Sequence, residues 1–101
     1  MERKLTYYER KVFDRANGIL DTCLLSRRGY AWKDTDSGRA LLLILEDKNP
    51  PHYALEKAVD SMKLAFRKAK CSSTKTVYSH EGNAEWCVVI RIDIPGKEEG
   101  K

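Results

Sequence analysis

Glu85-Trp86-Cys87-Val88-Val89-Ile90-Arg91-Ile92-Asp93 is the stretch on which the fold turns. Its β-branched and aromatic residues alternate with period two and predict a strand. Trp86, Val88, Ile90 and Ile92 share one face, and Cys87, Val89 and Arg91 share the other. An arginine on the second face predicts that this side is at least partly wet. Pro95 ends the strand. An earlier run, Ala40-Leu41-Leu42-Leu43-Ile44-Leu45-Glu46-Asp47, follows the same plan, an apolar strand running into Asp with proline close behind. Its unbroken apolar character predicts a strand central in its sheet.

Working outward, each run is preceded by a shorter strand and a helix. Periodicity predicts a helix over 6–26 with strands near 30–34 and 39–46, then a helix over 51–70 with strands near 74–80 and 85–93. The expected fold class is α+β in αββαββ order. Two helices would pack on one face of a mostly antiparallel four-stranded sheet. Residues 1–95 would form one domain and 96–101 a charged flexible tail. Residues 6–47 and 51–93 resemble each other as a pseudo-repeat. Duplication would explain that, but the shared demands of any antiparallel α+β domain explain it more readily.

The first helix opens on a capping box, Thr6-x-x-Glu9. Tyr8, Val12, Phe13, Ala16, Ile19, Leu20, Cys23 and Leu24 then recur at three- and four-residue spacing as one apolar stripe. Arg27 and Arg28 suit the negative end of that helix, and Gly29 is a natural stop. Gly18 falls on the solvent side, where it weakens the helix by about 1 kcal/mol without breaking it. Tyr30-Ala31-Trp32-Lys33 reads as a short aromatic strand and Asp34-Thr35-Asp36-Ser37-Gly38 as a turn. That acidic turn lacks the further ligands of a calcium loop. In the second helix Leu55, Val59, Met62 and Phe66 form the buried stripe beside an alanine edge, Lys63, Arg67 and Lys70 form a basic ridge, and Tyr53 and Leu64 fall outside.

With 101 residues, 42% hydrophobic and 34% charged, the chain is long enough for one modest core and too apolar for disorder. No apolar run approaches the roughly 20 residues of a spanning helix. The charged start, Met1-Glu2-Arg3-Lys4, is unlike a secretory signal, so the expectation is a cytoplasmic protein without membrane contact. Cys23, Cys71 and Cys87 are odd in number and lack paired spacing, which predicts three reduced, mostly buried thiols.

The enzyme reading rests on His80-Glu81 in the second hairpin turn, near Glu85, Lys75 and Tyr78. This is the chemistry a small ribonuclease toxin needs for proton transfer and phosphorane stabilisation. Nothing in sequence fixes a partner for His80, so no catalytic residue is assigned. His52 and His80 lie too far apart to suggest a metal site, Cys87 sits mid-strand, and no glycine-rich loop points to a cofactor.

Nucleic acid has two candidate surfaces. One joins Lys63, Arg67, Lys68, Lys70 and Lys75 to Arg27 and Arg28, if the helices lie side by side in the same sense and their basic ends converge. The other is the sheet face away from the helices, if Trp32 and Tyr78 stand there beside Arg91 to stack unpaired bases. The net charge of only +4 favours a different class. The expectation is a small, non-enzymatic regulatory protein of the phage- or mobile-element-encoded type, acting by protein–protein interaction. Its docking surface would be an uncovered sheet face or the edge strand Tyr30–Lys33, with homodimerisation through the same surface as the ordinary variant.

Overall fold

The computed structural model describes residues 4–96, the side chains of Tyr78 and His80 excepted. The charged tail expected over 96–101 falls, beyond Gly96, outside the described residues. The elements are α1 (Tyr7–Thr22), β1 (Arg27–Thr35), β2 (Gly38–Leu45), α2 (His52–Ala65), β3 (Lys70–His80) and β4 (Asn83–Pro95). The four strands form one sheet in the order β1-β2-β4-β3, every neighbouring pair antiparallel. The α+β class and the αββαββ order are those expected, and β2 is an interior strand.

Strand parity divides the sheet into two faces. Leu41, Leu43 and Leu45 of β2 and Val88, Ile90, Ile92 and Ile94 of β4 join Val12, Ala16 and Leu20 of α1 and Ala58, Val59 and Met62 of α2 in a single core. Ala40, Leu42, Ile44, Cys87, Val89 and Arg91 occupy the alternate positions and face away from both helices. Phe66, the C-cap of α2, is buried in the core and closes its lower end. Cys23, Cys71 and Cys87 are free and buried, and burial pushes the Cys71 thiol up against a smaller opposing pull from Lys63. No helix among the described residues is long and apolar enough to cross a membrane.

The expected side-by-side arrangement of the basic helix ends is corrected by the register. β1 starts where β2 ends, with Arg27 opposite Leu45. β3 starts at the other end, since Lys70 pairs with Asp93 and Asp93 with Ala40. The helices feeding these strands therefore run antiparallel. Arg27 and Arg28 lie at one end of the sheet, and Lys70, with Arg67 and Lys68 just before it, lies at the other.

Helix α1 is shorter than its periodicity suggests. The Leu25 N–H donates to Leu20 O at 2.9 Å and the Leu24 N–H to Asp21 O at 3.0 Å, the paired bonds of a Schellman ending. This places Leu24 in the left-handed region (φ 60°) with its side chain 91% exposed. Arg27 and Arg28 are thereby strand residues rather than a helix terminus. A leucine here incurs the left-handed penalty and contributes no burial in return. Leu24→Gly is expected to stabilise the domain by about 0.5–1 kcal/mol, read as a rise in Tm and in denaturant midpoint at unchanged m value.

At its other end α1 carries the expected capping box. Glu9 N–H donates to Thr6 Oγ1 at 3.1 Å, and Thr6 N–H to Glu9 Oε1 at 2.8 Å. The same Glu9 oxygen accepts from Arg39 Nη1 at 3.0 Å, and both side chains are buried. Arg39 Nε also donates to Asp34 Oδ1 at 3.2 Å, and its guanidinium lies 6.0 Å from the Trp32 ring. Arg39 sits on the core parity of β2, so this buried ion pair ties the start of α1 to the β1–β2 hairpin.

Candidate partner-binding surfaces

The residues singled out in the sequence part company in the structure. Arg27 Nε donates to Asn17 Oδ1 at 2.9 Å, and its guanidinium lies over the rings of Phe13 and Tyr30 at 5.4 and 5.0 Å, so it fastens β1 to α1. Arg28 approaches Glu85 at 3.6 Å. Trp32 pairs in register with Leu41 and stands on the helix-covered face, its ring 6.4 Å from that of Phe13. The stacking platform of Trp32 beside Arg91 is thus corrected, because the two residues project from opposite faces. The register shift between Arg27 and Gly29 accompanies the parity that turns Tyr30 and Trp32 inward.

Tyr78 and His80 pair through their backbones with Glu85 and Asn83, while their side chains lie outside the described residues. Glu81-Gly82 is a two-residue hairpin loop with both φ values positive, 51° and 81°. Glu85 accepts from Lys48 at 2.8 Å. That hydrogen bond and charge, with Arg28 beyond, hold its carboxyl below the usual carboxylate range. Among the described residues no cluster of His, Cys, Asp and Glu has metal-binding geometry.

β2 pairs with β4 only as far as Val89, so the end of the β3–β4 hairpin runs past it as a two-stranded ribbon. Val77 and Trp86 face each other across this ribbon, 48% and 57% exposed. At its base Lys48, Asn49, Lys75 and Trp86 line a groove of about 370 Å³, with Lys75 Nζ donating to Asn49 Oδ1 at 3.4 Å. Lys48 is paired there with Glu85, which balances one of the two lysines.

The face away from the helices is built in rows across the strands. Lys33, Ala40, Asp93 and Lys70 make the first row, and Ala31, Leu42, Arg91 and Ser72 the second. Gly29, Ile44, Val89 and Thr74 make the third, with Cys87 and Thr76 beyond. Leu42, Ile44, Val89 and Cys87 thus form an apolar strip along the two inner strands. Arg91 Nε donates to both carboxylate oxygens of Asp93 at 3.0 Å, which raises the arginine further above its ordinary value. Lys33 and Lys70 are exposed at the two edges. Comparison with known proteins returns nothing: no family model, curated protein or solved structure matches the chain.

Proposed function

We propose that this domain is a small non-enzymatic binding protein that acts through protein–protein interaction, with the uncovered sheet face as its docking surface. The observation that carries this reading is half-buried Leu42 and Ile44, beside buried Val89 and Cys87, on a face that neither helix covers. A water-facing strand normally alternates to polar residues, and the half-exposed Leu42 and Ile44 are stabilised by an apolar partner. Lys33 and Lys70 stand at the two edges of the row that closes one end of the strip, so the complementary surface is apolar at its centre and acidic at that end. With Trp32 turned to the other face, the strip offers packing area rather than base stacking.

The test is affinity capture from the native host with and without nuclease, using the wild type and Ile44→Arg. A stoichiometric protein that survives nuclease and is lost with the folded Ile44→Arg variant is the expected result. In the homodimer form of this reading, a size-exclusion peak above monomer mass collapses with the same variant. A partner retained by Ile44→Arg, or one that disappears on nuclease treatment, rejects the sheet face as the docking surface.

A further inference from the structure

The antiparallel helices create a surface on the opposite layer that no single sequence segment announces. Tyr8, Lys11, Val12 and Arg15 of α1 face Ala65 and Phe66 at the end of α2 across a groove of about 610 Å³. A second hollow of about 410 Å³ continues it along the helix pair. There Arg15, Gly18, Ile19 and Thr22 face Lys57 and Ser61. Arg15 borders both, so the two are stretches of one interhelical groove. Its floor is small or apolar (Val12, Ile19, Ser61, Ala65, Phe66), which lets a third element approach the backbones closely.

The rim is cationic. Lys11, Arg15 and Lys57 line it, and exposed Arg67 and Lys68 follow directly on Phe66. Asp14 is the acidic residue lining the groove, and the other carboxylate of this end of α1, Glu9, is buried against Arg39. Large apolar side chains also stand out on the helical layer. Tyr7 is 75% exposed beneath Lys11 Nζ at 5.1 Å, and Leu64, one residue before the groove wall, is 73% exposed. An apolar floor with a positive rim between two helices is complementary to one chemistry above others, a helix with an apolar stripe and acidic flanks.

We propose that this groove docks an acidic amphipathic helix from a partner protein. The inference rests on the reading of the chain as a protein-interaction domain but places the contact on the other layer. The domain then has two docking faces of different character, and failure at one is separable from failure at the other. Charge on Lys11, Arg15 and Lys57 sets the rate of encounter and the salt dependence, while Tyr8 and the floor hold the bound helix.

The test uses the full chain and a fluorescent synthetic peptide of about 18 residues with leucine at helical i, i+3, i+4 and i+7 spacing and glutamate elsewhere. Controls are a same-composition scramble without amphipathic spacing and a single-stranded oligonucleotide. The expected result is binding of the amphipathic peptide at least tenfold tighter than the scramble. Lys11→Glu with Arg15→Glu weakens it tenfold or more, Tyr8→Ala weakens it without changing the salt slope, and Lys75→Glu at the ribbon leaves it unchanged. Circular dichroism checks that the variants, all at exposed positions, remain folded. Equal binding of scramble and peptide, indifference to the double charge reversal, or no peptide binding overturns the proposal. An oligonucleotide that binds more tightly than the peptide at the same salt also overturns it and reassigns the groove to nucleic acid.

Discussion

Glu9→Ala is expected to destabilise the domain by about 3–5 kcal/mol, the cost of leaving one partner of a buried ion pair without the other. The arginine that remains is buried on the core side of β2, and its other carboxylate partner, Asp34, is largely exposed. The alanine also removes the reciprocal half of the capping box, since Thr6 N–H loses its acceptor. The capping loss alone is worth about 1 kcal/mol, so Thr6→Ala separates the two contributions. Replacing both members by apolar residues, Glu9→Leu with Arg39→Met, is expected to recover most of the loss, because neither charge is then buried. Denaturant unfolding of the wild type and these three variants gives the comparison. If Glu9→Ala costs no more than Thr6→Ala, the Glu9–Arg39 contact is not a buried pair in solution and the account of α1 docking fails. A loss of this size matters against a total of roughly 5–15 kcal/mol for a domain of this kind.

Element order and the division of β4 into two faces are legible in the sequence because both rest on periodicity, which residue chemistry writes directly. The start of α1 is legible for a similar reason: Thr6 and Glu9 satisfy each other within one turn. The end of α1 is not. Leu24 and Leu25 are good helix formers that continue the apolar stripe, and only the Schellman bonds stop the helix there. Buried Arg39 is equally hidden, since an arginine beside a turn glycine reads as an edge residue until Glu9 is brought against it from thirty positions away.

The larger gap concerns which surfaces meet. Whether Arg27 and Arg28 lie near Arg67 and Lys68 depends on the strand order β1-β2-β4-β3, in which β2 pairs with β4 and so sets the second helix antiparallel to the first. Local pattern carries no information on that choice. The basic ridge expected along the second helix does not form as one, since α2 ends at Ala65 and Lys70 opens β3; the cations that line the interhelical groove are Lys11, Arg15 and Lys57. The inward turn of Trp32 likewise follows from a strand start three residues earlier than the aromatic run suggests, together with the irregularity between Arg27 and Gly29. Of the residues first taken for a nucleic-acid surface, Arg27 and Trp32 on β1 serve packing and Arg28 meets Glu85, while Arg67, Lys68 and Lys70 after α2 remain at a charged, accessible end.

Gly38→Ala is the second change expected to have a large effect, and its reason is steric rather than conformational. Gly38 opens β2 opposite Pro95, and the Gly96 N–H donates to Ser37 O at 2.6 Å beside it. A Cβ at position 38 would collide with Ile94 O, with Gly96 N and with the carbonyl carbon of Pro95. All three are backbone atoms, so no rotamer change relieves the contact. The strands must separate at the end where Arg39 meets Ile94 and Ala40 meets Asp93. A cost of about 3 kcal/mol, the upper part of the usual range for overpacking, is expected. Gly18→Ala is the contrasting control. Nothing lies within 4 Å of a Cβ there, and a mid-helix alanine is expected to stabilise by about 1 kcal/mol. Hydrogen exchange localises the effect: in Gly38→Ala the amides pairing β2 with the end of β4 lose protection before those around Leu43 and Ile90. The same separation would tilt the Lys33–Ala40–Asp93–Lys70 row away from the apolar strip. Partner binding at the sheet face should therefore fall even under conditions where the variant remains folded. A Gly38→Ala protein as stable as the wild type would mean that the β2–β4 register at this end is not the one described.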